Sequence, residues 1–351
     1  MRARIETPVP ALPRRLFAAL ADGALHSGAE LAAREGVTRS AVWKAIGQLR
    51  DDGALIDAVP NRGYRMQFAC TLLDAAALRA ALPAAQAGCF DAVETLWSVD
   101  STNSALLARG APPPGEFRLL VAEHQGAGRG RLGRRWVGAL GGSVLMSVSA
   151  GLAELPRDVA TLPLVAGLAV RRALGQLGVA GVLLKWPNDI VARLGAPAAG
   201  EPGAPLLHKL GGILTELRAE ASGPAHVVVG IGLNLELGDA QRREIAAGAL
   251  PPAALADLGG VVPDRNVLAA AIAAECVAGL DGLRREGFAA RRNEWNNADA
   301  LAGQPVTIRG VGDDVATGIA RGIDATGALQ LEQAGVLRSV LAGDVSLRPQ
   351  P

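Results

Sequence analysis

The chain predicts an α/β (α+β) multidomain protein, and three observations carry that prediction. Residues 12–66 show helical periodicity broken by a glycine turn. Strands and helices alternate from Thr95 to about Ala300. After Gly303, short strands are separated by Gly-Asp and Thr-Gly turns. These divide the 351 residues into expected domains at 1–68, 69–302 and 303–351.

In the first segment Leu16, Phe17 and Leu20 form one apolar helix face. His26-Ser27-Gly28 breaks the chain, with Ser27 placed to cap a short helix through Glu30–Arg34. Gly36 makes the turn, and Thr38 or Ser40 opens a third helix. There Val42, Ile46 and Leu49 lie at i, i+4, i+7, a core stripe, while Arg39, Ser40, Trp43 and Lys44 point the other way. Two helices around a glycine turn, the second with a basic outer face, describe a helix-turn-helix. Leu55–Val59 and Tyr64–Met66 pair around Pro60-Asn61-Arg62-Gly63 as a wing, which adds Arg62 to the candidate DNA-binding residues. A three-helix cap without DNA contact is the competing reading.

Residues 71–88 read as an alanine-rich helical connector. In the middle segment a helix is expected at Leu162–Leu177, a strand at Val182–Trp186, a pair of buried strands at Lys209–Leu217 and His226–Leu235, and one or two helices over 265–295. Gly195–Pro205 is a Gly/Pro/Ala loop. Strands at Val306–Ile308, Ala316–Ile323 and Ala328–Leu331 predict a small barrel-like β domain.

Composition narrows the function. Half the residues are hydrophobic but only 3% are aromatic, so Ala, Leu and Val must fill the core. A net charge of +1 gives no global attraction to DNA or membrane, so any basic surface is local; the first 70 residues hold 10 Lys+Arg against 7 Asp+Glu. Cys70, Cys89 and Cys276 form no metal-type spacing and no disulfide framework, so no metal site is expected. Neither a signal peptide nor an uninterrupted membrane-length apolar run is found, which makes the cytoplasm the expected compartment.

The most informative stretch is Gly126-Ala127-Gly128-Arg129-Gly130-Arg131-Leu132-Gly133-Arg134-Arg135-Trp136. Glycines let a backbone fold tightly over a ligand. Arginines offer planar donors to carboxylate and phosphate oxygens. An RG-rich run also occurs as a flexible nucleic-acid-binding segment, but apolar strands at Leu119–Ala122 and Val144–Val148 flank this one and make it a site loop.

Three more constellations accompany it. Ser101, Thr102 and Asn103 follow Asp100 at a helix start; they supply neutral donors and acceptors for a polar ligand group, or they serve only as a cap. Lys185-Trp186-Pro187-Asn188-Asp189 puts a lysine at a strand end, either to stabilise developing charge or to pair with Asp189. Lys209-Leu210-Gly211-Gly212-Ile213-Leu214 and Gly230-Ile231-Gly232-Leu233-Asn234 add a second buried cation and glycine strands against which an extended ligand can lie.

DSTN, QGAGRGRLGRRW, KWPND, KLGGIL and GIGLN, in that order, resemble the catalytic domain of biotin protein ligases. The helix-turn-helix makes the chain similar to the bifunctional ligase/repressor form of that family, and the resemblance covers nearly the whole chain. It implies a central mixed-sheet ligase domain of the biotin/lipoate type and a C-terminal SH3-like barrel. It implies ATP-dependent formation of biotinyl-5′-AMP, with Mg²⁺ arriving on ATP, then transfer of biotin to a lysine of a biotin carboxyl carrier protein. Biotin contacts carry over to Ser101, Thr102, Asn103, Gln125, Arg129, Gly130, Arg131 and Lys209, with the backbone of Gly212, Gly230 and Gly232. ATP contacts carry over to Arg131, Trp136, Lys185, Asn188 and Asp189; Lys185, Arg131 and Lys209 would be catalytic. The resemblance further implies a ligand-promoted homodimer that represses an operator with the adenylate as corepressor.

Gly126 departs from the family pattern by standing where a second Gln is usual, and Gly195–Pro205 by standing where a shorter hairpin is expected. The rival readings are a lipoate ligase, a biotin-sensing repressor that ligates poorly, and a ligase without operator binding.

Overall fold

Capping and periodicity build the N-terminal unit as the sequence predicts. In the computed structural model, which describes residues 11–195, 206–219, 225–245, 250–309, 315–341 and 346–349, contacts cluster into two units: residues 1–72 with Ala139–Gly142, and residues 73–138 with 143–351. The first holds α1 (Leu12–Leu20), α2 (Gly28–Glu35), α3 (Arg39–Asp51) and the antiparallel hairpin β1 (Ile56–Val59) and β2 (Gly63–Met66). Ser27 caps α2 in a reciprocal box with Glu30, Gly36 ends it in the left-handed region at φ 67°, and Thr38 caps α3. Leu16, Phe17, Val42, Ile46 and Leu49 are all buried.

In the second unit the Ala-rich connector is two helices, α4 (Ala75–Ala81) and α5 (Ala84–Ala87), parted at Leu82-Pro83. The remaining helices are α6 (Thr102–Ala108), α7 (Leu162–Gln176), α8 (Asp239–Ile245), α9 (Arg265–Glu286) and α10 (Arg292–Ala298). The large sheet comprises β3 (Phe90–Val99), β4 (Phe117–Gln125), β5 (Ser143–Leu152), β6 (Val182–Lys185), β7 (Asp189–Leu194), β8 (Leu206–Ala219) and β9 (Ala225–Asn234). Its order is β3-β4-β5-β9-β8-β7-β6, with only β3 and β4 parallel. The sequence reading missed β7 and α8.

Strand alternation divides this sheet into two faces. Val227, Val229, Ile231 and Leu233 of β9 join Met146, Val148 and Ile213 in the main core under α7 and α9. Val228 turns the other way, into a smaller cluster with Leu106 and Leu107 of α6. Gly230 and Gly232 share that second face. Helix α9 is long and apolar enough to cross a bilayer, a feature that a search for uninterrupted apolar runs overlooks, but most of it is buried in this core. A buried ion pair fastens α9 to the sheet: Arg265 donates to both oxygens of Glu123 (2.8 and 3.0 Å) and to the Ser143 carbonyl (3.3 Å).

β10 (Pro305–Arg309), β11 (Val315–Ile323), β12 (Leu329–Gln333), β13 (Val336–Val340) and β14 (Ser346–Pro349) form a small antiparallel sheet in the order β13-β12-β11-β10-β14. Closure into a barrel is not among the strand pairings of the described residues. Of the Gly195–Pro205 loop, only Gly195 lies within the described residues.

Candidate functional site

A cavity of about 510 Å³ opens on the α6 side of the sheet. One end is built from hydroxyls and amides. Ser101 caps α6 by accepting from the Ser104 N–H (3.4 Å), which places Thr102 and Asn103 in the first turn. The Thr102 N–H and Oγ1 both donate to Gln125 Oε1, at 2.8 and 3.0 Å. Ser147 Oγ of β5 lies 2.7 Å from Thr102 Oγ1 and 2.6 Å from Asn103 Oδ1. The Asn103 Nδ2 group donates to the Leu214 carbonyl (3.1 Å) and to Glu216 Oε2 (2.8 Å).

Proton counting characterises this end. A backbone N–H can only donate, so Gln125 presents its oxygen; a backbone carbonyl can only accept, so Asn103 presents Nδ2 to Leu214 and Oδ1 to Ser147. The chain Gln125 Oε1, Thr102 Oγ1, Ser147 Oγ, Asn103 Oδ1 therefore has three short contacts but two hydroxyl protons. It is rich in acceptors and suited to a ligand that brings N–H groups.

The glycines make room. Register pairs Gly230 with Ser147 on one side and Leu214 on the other, and Gly232 with Gly212. A Cβ at Gly230 would collide with the Asn103 amide, and one at Gly232 with the Trp136 indole. The sequence reading gave these glycines to a ligand and Trp136 to adenine. In the structure Trp136 itself lies on Gly232 and beside Gly212, and its buried Nε1 finds no acceptor among the described residues.

The other end holds the cations. Lys185 ends β6 opposite Asp189, which opens β7, and Asp189 pairs in turn with Gly212 of β8. Lys185 Nζ donates to Asp189 Oδ2 (2.8 Å) and Lys209 Nζ to Oδ1 (2.5 Å). Burial pushes the Asp189 carboxyl up, but the Lys185 charge and then the Lys209 charge outweigh it and hold it far below the usual carboxylate range. Lys185 is buried as expected, whereas Lys209 is half-buried, its ammonium over the Trp136 ring at 6.0 Å from the ring centre. Asn188 exchanges bonds with Ile213, its Nδ2 donating to the carbonyl and its own carbonyl accepting from the N–H (both 2.9 Å).

The glycine-arginine loop folds over this cavity as a narrow hairpin. The Trp136 N–H donates to the Gly128 carbonyl (2.8 Å) and the Gly130 N–H to the Arg134 carbonyl (2.7 Å). The tip turns through Leu132 and Gly133 at φ 57° and 70°. Arg129 donates to Ser104 Oγ (2.7 Å) and stands 3.7 Å from Glu216. Arg129, Gly130 and Arg131 border the cavity. Every candidate biotin- and ATP-site residue read from the sequence lines it, and Ser147 and Glu216, which were not read, join their network. Among the described residues, no group of three or more His, Cys, Asp and Glu side chains is placed to hold a metal ion. In the N-terminal unit Arg39, Ser40, Trp43, Lys44 and Arg62 are all exposed, Trp43 to 66%.

Comparison with known proteins agrees with this layout. Three family models match in order: an HTH domain at residues 16–65, the biotin/lipoate A/B protein ligase family at 98–234, and the biotin protein ligase C-terminal domain at 302–348. Fold and site thus define a protein ligase of the biotin/lipoate class behind a helix-turn-helix. The bifunctional ligase/repressor BirA of Salmonella typhimurium is 35% identical over 96% of this chain and 98% of its own length. The biotin–[acetyl-CoA-carboxylase] ligase of Mycobacterium tuberculosis is 34% identical over 78% and 95%. Among solved structures, Aquifex aeolicus biotin protein ligase in complex with biotin and ATP superimposes with a TM-score of 0.57 at 26% identity, covering 73% of this chain and 98% of that one. The chain belongs to the family of bifunctional biotin ligase/repressors.

Proposed function

We propose that the cavity binds biotin and ATP, forms biotinyl-5′-AMP, and passes the biotinyl group to a lysine of a biotin carboxyl carrier protein such as that of acetyl-CoA carboxylase. A biotin carboxylate oxygen attacks the α-phosphorus and pyrophosphate leaves. The carrier ε-amine then attacks the acyl carbon, loses its proton, and AMP leaves. Repulsion between a carboxylate and a polyphosphate must be cancelled by fixed cations, and Lys185, Lys209 and the loop residues Arg129 and Arg131 line the same space. Lys185, Lys209 and Arg131 act on the reacting groups, Arg131 and Lys185 also on ATP, and Asn188, Asp189 and Trp136 on the nucleotide side. Mg²⁺ enters on the ATP phosphates. The hairpin loop keeps water from the anhydride.

The acceptor-rich end carries the choice of substrate. Ser101, Thr102, Asn103 and Gln125 meet a ureido group whose two N–H donors complete a network short of protons, while the backbone of Gly130, Gly212, Gly230 and Gly232 lines the rest of the biotin pocket. Lipoate, whose ring has no N–H, leaves those acceptors unpaired, which costs several-fold to many-fold in affinity. ATP–pyrophosphate exchange with biotin and with lipoate tests this. Exchange that depends on biotin supports the reading, and exchange with lipoate alone contradicts it.

The proposal extends to domains at 1–68, 69–302 and 303–351, a cytoplasmic location, and repression by a ligand-promoted homodimer. Its DNA-binding residues are Arg39, Ser40, Trp43, Lys44 and Arg62, whose exposure on α3 and in the β1–β2 turn supports it. Operator binding that tightens when biotin and ATP are added together is expected. Binding indifferent to them would contradict the corepressor role.

A further inference from the structure

We propose that Glu216, a residue in no motif, sets the hydrogen-bond polarity of the biotin end of the cavity and links it to the glycine-arginine loop. This rests on the biotin reading above. Glu216 lies on β8, two and four residues beyond Leu214 and Gly212, so strand alternation puts all three on the α6 face of the sheet. Its Oε2 accepts from Asn103 Nδ2 (2.8 Å), and its Oε1 stands 3.7 Å from the Arg129 guanidinium.

The chemistry follows from what an amide can do. Asn103 is 3% exposed, and turning its side chain over would bring Oδ1 against the Leu214 carbonyl and the Glu216 carboxylate. Two acceptors therefore lock Nδ2 outward and Oδ1 toward Ser147. The Leu214 carbonyl supplies one at 3.1 Å; the carboxylate supplies the shorter and charged one. With Oδ1 fixed as an acceptor, the Ser147 and Thr102 hydroxyls have only acceptors at both ends of their chain, and the network stays short of protons. The same carboxylate faces Arg129 beside the Ser104 hydroxyl that Arg129 binds. Glu216 touches no reacting atom in this scheme; it is a positioning residue.

Steady-state ATP–pyrophosphate exchange, with KM for biotin, KM for ATP and kcat separated, tests it on the full chain. Glu216→Ala should raise KM for biotin about tenfold or more while KM for ATP stays put. Glu216→Gln keeps an oxygen for Asn103 and should remain within about fivefold of the parent protein. The sharpest arm is a swap. Asn103→Asp sets an oxygen against both the Glu216 carboxylate and the Leu214 carbonyl and should cost biotin binding at least about a hundredfold, whereas Asn103→Asp with Glu216→Gln turns the first clash into a donor facing an acceptor, leaves the second, and should recover about tenfold of that loss. An unchanged biotin KM in Glu216→Ala, or equal losses in every parameter with no recovery in the swap, would overturn the proposal. If Glu216→Ala fails to fold, the swap alone decides. If the parent protein shows no biotin-dependent exchange, the biotin reading fails instead.

Discussion

Lys209 and Asp189 meet at 2.5 Å, and the other oxygen of the same carboxylate is taken by Lys185 at 2.8 Å. One half-buried anion thus holds two cations at the end of the cavity where a carboxylate and a phosphate are proposed to react. Lys185 is the more enclosed of the two, at 6% side-chain exposure. Replacing it with Met leaves Asp189 paired to Lys209 and keeps the stem's bulk. Adenylation should fall about 10²–10³-fold, the size seen when one preorganised charge donor is removed, with KM for biotin little changed. Single-turnover formation of the adenylate measures this.

Gly232 and Trp136 depend on each other. A methyl group at 232 collides with the indole, and β9 cannot yield because both neighbouring strands pair with it. Gly232→Ala should cost about 1–3 kcal/mol of stability, as overpacking does, and displace Trp136 from its place beside Lys209. Thermal unfolding and the intrinsic tryptophan fluorescence should both shift. Gly260→Ala, at a position with open space around it, is the control that should shift neither.

The pair Arg265–Glu123 is buried to 3% and 5% at the side chains. Arg265→Met leaves the Glu123 charge in the core and should destabilise by about 3–5 kcal/mol. Joint replacement by apolar residues should cost less than the single change. Unfolding of the single and double variants checks this, and a double variant less stable than Arg265→Met would contradict it.

Asp299 gives a pH dependence of opposite sign to that of an ion-paired carboxylate. Burial pushes its carboxyl up to about 6, against contributions from the Leu301 N–H and Arg193 that lower it. Between about pH 4 and pH 6 the folded protein keeps a proton that the unfolded chain has lost, so stability falls as pH rises through that window. Asp299→Asn keeps an oxygen for the Leu301 N–H and removes the titration. It should gain on the order of 2 kcal/mol over the parent protein at pH 8 and nothing at pH 3.5. Melting curves at the two pH values decide it.

Much of this was legible in the chain because glycine, capping and charge signals are local. Ser27, Gly36 and Thr38 end and open helices by their own backbone chemistry, and the Gly-Arg run and the Asp100–Asn103 start announce a loop and a cap. Ser147, Glu216 and the Glu123–Arg265 pair were not read, because each acquires its meaning from a partner far along the chain. Glu123 and Arg265 are 142 residues apart, and Asn103 and Glu216 113. Strand parity was the available signal: Ser147 is a polar residue inside an apolar strand, directly opposite Gly230. The position of the Trp136 indole could not follow from the run Gly126–Trp136, since it depends on space left by Gly212 and Gly232 on two other strands.

The central claim is group transfer, and mass spectrometry of a purified biotinyl carrier domain tests it most directly. Incubated with this protein, biotin, ATP and Mg²⁺, the domain should gain the mass of one biotinyl group on a single lysine, and none when ATP is left out. An unmodified carrier, with biotin still bound by the protein in calorimetry, would contradict the ligase account and leave a biotin-sensing repressor.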